Sequence, residues 1–172
     1  MTAKPTGPHR LRHHVQGAVY VEFLVAFMPL LVAFECLLQL TEVHIAGLVT
    51  AHAAQCAARA AAVVLPDDPA HYQGVPVGLL QGARRRDVER AAGLPLQAVR
   101  GIVSARLRLG DARGGDRPAE WSQGARALRL EVTYQCRIPL ARRLVCDAAS
   151  GHAELAATAP VVTQGARYAY DG

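Results

Sequence analysis

A chain of 172 residues has room for one membrane segment and one small domain, not for two full-sized globular domains. Aromatics make up only 5% while Ala and Gly are plentiful, so the core of a small domain is thin and leans on crosslinks or partners. The formal charge of +5 is uneven: residues 1–17 hold Lys4, Arg10 and Arg12 and no acid, and the rest carries 16 basic against 14 acidic side chains, which describes a basic leader on a nearly neutral body and gives no reason to expect nucleic acid as a partner.

The first predicted element is a membrane helix. Ala18 to Leu40 reads AVYVEFLVAFMPLLVAFECLLQL, in which only Glu22, Glu35 and Gln39 are strongly polar. At 1.5 Å per residue such a run crosses a hydrocarbon core of about 30 Å. It is too long and too apolar for a buried helix of a small soluble domain. It also exceeds the apolar run of about 7–15 residues of a cleaved secretory signal, and no small-x-small site follows it. The basic leader places the N-terminus in the cytoplasm and the C-terminal part outside, which is the periplasm in a diderm bacterium. Pro29 lies within the run, where membrane helices tolerate a lost backbone bond.

Glu22 is out of place in this segment. An acid costs about 2.5–3.5 kcal/mol at the centre of a membrane helix, less near its edge, and normally has a partner. A cut between Gly17 and Ala18 would make Ala18 a new N-terminus and Glu22 its fifth residue, so that a free amine and a carboxylate could pair, within one chain or between neighbours. The competing reading is an uncleaved signal-anchor whose Glu22 reaches interfacial water and whose Gly17 is incidental.

A basic leader, Gly17, and Glu22 at the fifth position of a long apolar helix together resemble the type IV pilin-like, or class III, signal. The stretch GAVYVEFLVAFMPLLVAFECLLQL, the Ala-rich HAAQCAARAAAV after it and, more loosely, VTYQCRIPL and LVCDAASGHAELAATAP are similar to the TadE-like family of minor pseudopilins of the tight-adherence (Flp pilus) assembly machinery. The resemblance implies cleavage between Gly17 and Ala18 by an aspartic prepilin peptidase, a role for Glu22 in docking the mature subunit, and other pilin-like subunits and assembly proteins as partners beside the lipid bilayer.

Beyond Leu40 the helix is expected to continue. Residues 41–65 are rich in Ala, the best helix former, and Pro66, Asp67, Asp68 and Pro69 end it. Ala18 to Leu65 would then span about 72 Å. Its Ala-rich face suits close packing, on the external domain or on a neighbour. Glu35, Gln39 and Glu42 fall at i, i+4, i+7 and form a polar stripe, either a contact with another helix of an assembly or a water-facing stripe at the membrane boundary. Ala83 to Ala92 predicts a short charged helix closed by Gly93 and Pro95, with Arg84, Arg85 and Arg86 as a solvated face.

Alternation follows. Apolar side chains fall on odd positions from Val103 to Leu109 and on even positions from Leu128 to Tyr134, and a weaker strand runs from about His152 to Ala159. The turn-rich GDARGGDRPAEWSQG separates the first two. The expected fold is α+β, pilin-like: a leader (1–17), a transmembrane helix (18–40), its continuation outside the membrane (41–65) and a small domain (66–172) whose antiparallel sheet is covered by helix.

Little points to catalysis. The sequence has no phosphate loop, dinucleotide fingerprint, HExxH or CxxC, and none of its serines sits in a nucleophile elbow. His44, His52 and Cys56 could share a helix face, but without a fourth ligand they are not expected to hold a metal. No cofactor is expected. Cys136 and Cys146 flank nine residues; in an oxidising compartment a disulfide would tie a strand to the segment after it, and otherwise they are two separate thiols. Cys36 reads as apolar filler. The expectation is a non-enzymatic, single-pass inner-membrane subunit that acts through its helix. The alternative is an uncleaved, signal-anchored envelope protein with a periplasmic binding domain.

Overall fold

The structure is a computed structural model and describes residues 9–111 and 126–162; the side chains of residues 9–16, 18 and 111 are outside the description. The expected turn-rich loop after β1 therefore lies almost wholly outside the described residues.

Helix α1 (His9–Val64) is a single 56-residue element, about 84 Å long at its rise per residue. It ends within one residue of the expected stop, with Pro66 two positions on. It starts upstream of Ala18 because residues 9–16 contain neither Gly nor Pro to interrupt a helical run. Pro29 is inside it. A 3-10 turn follows at Pro69–Tyr72, capped by Asp68, whose carboxylate accepts the Ala70 N–H at 2.9 Å. Helix α2 (Gly82–Leu96) is longer than Ala83 to Ala92, and Gly93 and Pro95 do not close it. The reason is tertiary: Val88, Ala92 and Leu96 form its buried face, and burying Leu96 holds the last turn helical through both breakers.

Three strands, β1 (Ile102–Asp111), β2 (Arg126–Gln135) and β3 (His152–Val161), form an antiparallel sheet in the order β1-β2-β3. Between β2 and β3 lies a short helix, α3 (Pro139–Val145), which the alternation pattern did not suggest. The even positions of β2, Leu128, Leu130, Val132 and Tyr134, are all buried, as expected. Two of the expected odd positions of β1 are exposed, Ala105 and, at the start of the strand, Val103. The register jumps there, with Ile102 opposite Tyr134 and Ser104 opposite Thr133, so a bulge turns Val103 out of the ladder and gives Ile102 the inward place.

One face of the sheet is covered by the second half of α1. Ala53, Ala54, Ala57, Ala58, Ala61 and Leu65 pack with Leu128, Leu130, Val132 and Ala159 of the sheet and with Val88, Ala92 and Leu96 of α2. Alanines on both the helix and β3 allow close approach and explain how a chain with so few aromatics forms a continuous core. The opposite sheet face is polar, with Arg108, Arg129 and Glu131 in a charge cluster across β1 and β2. The Ala-rich half of α1 is thus occupied by the chain's own domain.

Candidate functional site

From Val19 to Leu30 α1 has no tertiary cover. Every described side chain from Val19 to Leu30 is exposed, including Phe23, Leu24, Val25, Phe27 and Met28, and the rings of Phe23 and Phe27 stack at 5.5 Å. By length and composition this helix can cross a membrane. Glu22 lies in this bare half, exposed, with no hydrogen bond or ion pair to another described residue. Gly17 is helical, exposed and has open space around it. The Ala18 side chain lies outside the description, so the Gly17–Ala18 bond is placed by backbone alone, inside a continuous helix.

The middle of α1 is the junction with the domain. Gln39 is fully buried (0% exposed), and its Oε1 accepts the backbone N–H groups of Arg137, at 3.1 Å, and Ile138, at 3.0 Å. One turn on, Glu42 accepts the Tyr134 hydroxyl at 3.0 Å. The expected polar stripe lies along the junction: Gln39 is buried there and Glu42 half-buried, both bonded within the chain's own domain. They meet the end of β2 and the chain leaving it, where a strand runs out of ladder partners and its N–H groups need acceptors. Glu35, one turn before Gln39, is half-buried. Its Oε2 and the Nε2 of Gln39 are both buried and make no hydrogen bond among the described residues.

The strand exit is then fixed covalently. Cys136 and Cys146 form a disulfide with Cα atoms 6.6 Å apart, closing a loop around α3. Cys136 is buried beside Tyr134 and Ala46 of α1. After α3, Asp147 accepts N–H groups from Ala149 and Ser150 and the Ser150 hydroxyl at 2.6 Å, and the Ser150 hydroxyl, the largest cause, with those N–H groups holds the Asp147 carboxyl below its ordinary value. Serine, acid and His152 are close in sequence there, but the contact of His152 is a backbone N–H to Ser150 Oγ, which shapes a turn and does not activate a nucleophile. Cys36 and Cys56 are free. His52 Nε2 lies 3.7 Å from Cys56 Sγ on the exposed side of α1, and among the described residues no group of three candidate ligands gathers around a metal position.

Sequence reasoning missed Arg84. Placed with Arg85 and Arg86 on a solvated face, it is instead fully buried. Its guanidinium donates to the carbonyls of Val64, Leu65, Asp67 and Val75 and lies over the Tyr72 ring at 4.3 Å. A cation among the last carbonyls of α1 satisfies acceptors the helix cannot use and complements the negative end of its dipole. Arg85 pairs with Glu89 at the surface, as expected of a solvated face. The signal for it was the abrupt end of α1 at Pro66-Asp67-Asp68-Pro69, which leaves carbonyls needing a donor from elsewhere.

Compared with protein-family models, with curated proteins and with solved structures, the chain gives no match.

Proposed function

We propose that the chain is a minor pilin-like subunit, of the TadE-like kind, of a tight-adherence pilus or a related secretion machine. Its action is assembly through its helix, without catalysis. The bare half of α1 sits in the inner membrane, with the leader in the cytoplasm and the sheet domain in the periplasm. A prepilin peptidase cuts between Gly17 and Ala18, and the new amine meets Glu22 of the same chain or of a neighbour.

The observation that carries this reading is the division of α1. Its distal half is consumed by the chain's own core, while its proximal half presents about five turns of apolar side chains with a carboxylate near their start. A helix that served only as an anchor gains nothing from that carboxylate, whereas a subunit that must register against others gains a charge pair in a medium of low dielectric.

The N-terminal mass of the protein extracted from membranes tests the proposal. A chain starting at Ala18 supports it, and an intact leader favours the signal-anchored envelope protein. Glu22→Gln is expected to insert normally, by carbonate extraction, and to fail to co-purify with its assembly partners. Normal assembly by this variant would remove Glu22 from the mechanism.

A further inference from the structure

Helix α3 is a seven-residue element with two unlike flanks. Ala141 is buried toward α1, which α3 packs against. Leu140 and Leu144, one turn apart on the same flank, are 48% and 68% exposed. At the helical period of 100° per residue Arg143 lies beside that flank, about 60° from Leu140, whereas Arg142 lies opposite it with its stem over Gly151, and Arg137 precedes the helix; all three are exposed. From Arg137 to Val145 there is no acid.

Gln39 sets the height of this element. A helix needs about 20 residues to cross a hydrocarbon core, which is met by Val19 to Leu38. Gln39 is the next residue, and it holds the N–H groups of Arg137 and Ile138, immediately before Pro139 opens α3. So α3 starts where α1 leaves the lipid, at the level of Gln39, whose neighbours Leu37, Leu38 and Leu40 are exposed on α1. A helix this short does not hold itself together. The disulfide from Cys136 to Cys146 closes around it and keeps it folded whether or not its leucines are covered.

We propose that α3 is an interfacial docking element: Leu140 and Leu144 enter the boundary of the bilayer crossed by α1, and Arg137 and Arg143 meet the phosphates of anionic phospholipids. The apolar flank, the basic side chains near it and the absence of acid fit the composition of segments that lie in a membrane surface. With one contact through α1 and a second through α3, the domain sits at a fixed tilt on the membrane. The proposal rests on the reading of α1 as membrane-spanning.

The test uses the full chain in vesicles of phosphatidylethanolamine and phosphatidylglycerol, with Trp121→Phe to remove the single native tryptophan. One tryptophan is then introduced in each of Leu144→Trp, Leu140→Trp, Leu30→Trp and Val63→Trp, and quenching by lipids brominated on their acyl chains is measured. Val63 is exposed and lies about 36 Å beyond Gln39 along α1, far from lipid. Leu144→Trp and Leu140→Trp are expected to reach roughly half the quenching of Leu30→Trp or more, as befits interfacial depth, with Val63→Trp unquenched. Adding Arg137→Gln and Arg143→Gln is expected to lower the α3 signals in these vesicles and to leave them unchanged in vesicles of phosphatidylcholine alone; equal loss in both overturns the phosphate contact. If the α3 positions are no more quenched than Val63→Trp while Leu30→Trp is strongly quenched, the docking proposal fails and the membrane reading of α1 stands. A blue-shifted but unquenched Leu144→Trp likewise overturns docking on lipid and assigns the face to another protein. An unquenched Leu30→Trp overturns both.

Discussion

Replacing Arg84 should have the largest effect of any single charge change among the described residues. Its buried guanidinium donates to Leu65 at 3.1 Å, Asp67 at 2.8 Å, Val75 at 3.2 Å and also to Val64, and it stacks on Tyr72. Hydrogen bonds to a charged group contribute about 1.5–3 kcal/mol each, but four on one side chain do not add. The stacked cation contributes on the order of 1 kcal/mol more. Arg84→Ala strands the carbonyls of Val64, Asp67 and Val75, while Leu65 keeps the N–H of Gly78, and empties the space between α1 and α2. A loss of about 3–5 kcal/mol follows, or roughly 15 °C or more in Tm for a domain of this size. Arg84→Lys keeps the charge but cannot fork across carbonyls on both sides, so about half of the loss should remain. Arg84→Met keeps most of the volume and should be nearly as damaging as Ala, because the unsatisfied acceptors dominate the loss. Thermal unfolding in detergent, read by hydrogen-exchange protection of β2, isolates the domain from the micelle-bound half of α1. Arg85→Ala, at an exposed pair with Glu89, should stay within about 0.5 kcal/mol of the native protein. If Arg84→Ala and Arg85→Ala cannot be told apart, the reasoning is refuted.

Gln39→Ala should expose two backbone N–H groups to an apolar setting, costing about 2–4 kcal/mol and loosening α3 before the sheet, which amide exchange at Arg137 and Ile138 would read directly. Cys136→Ala with Cys146→Ala removes a short closed loop and should lower stability by about 2–3 kcal/mol, seen as a Tm that no longer responds to reductant. The Tyr134 phenol is held above its ordinary value of 10.0, first by burial and then by its hydrogen bond to Glu42. The unfolded chain therefore gives up this proton first, and the stability Tyr134 contributes is intact below pH about 10 and lost as pH rises through the higher folded-state value. In Tyr134→Phe the alkaline decline should be shallower and the neutral-pH stability lower by about 1 kcal/mol, measured by urea titration across the pH range.

What sequence patterning could reveal was local. Period-two alternation located all three strands, most plainly in β2, which is half-buried against α1 and whose inward residues from Leu128 on show it without interruption. It failed at Val103, where the bulge shifts parity within a strand that reads as regular. The long helix was legible from Ala content and its proline stop, whereas Gly93 and Pro95 misled, because the burial of Leu96 outweighs local preference. The polar stripe of Glu35, Gln39 and Glu42 was visible as a stripe, but its acceptors serve groups more than 90 residues away, and no spacing rule points there. Arg84 is the same kind of failure: three consecutive arginines look alike, and only the packing of α2 against the end of α1 singles out the first. Helix α3 is too short to carry a period, and the two cysteines flanking it were its only legible trace.

The junction at Gln39 bears on the proposed assembly. Domains tethered by a flexible linker reorient freely above a membrane, and their tether transmits nothing but proximity. Here no linker exists: α1 passes from its bare half into the domain core as one helix, and Gln39, Glu42 and the Cys136–Cys146 bridge fasten the sheet to it at the point of exit. Rotation or withdrawal of the bare half therefore moves the domain as a body. Lipid tails and neighbouring helices can both cover the same exposed residues from Val19 to Leu38, so a subunit could exchange one for the other without repacking its own core, which uses none of them. The apolar surface alone does not choose between those covers, since lipid is as apolar as another helix. Under the proposed cleavage, a carboxylate at Glu22 chooses only where its partner is the amine of a neighbouring subunit, because that neighbour brings a fixed positive charge to that depth and lipid tails do not.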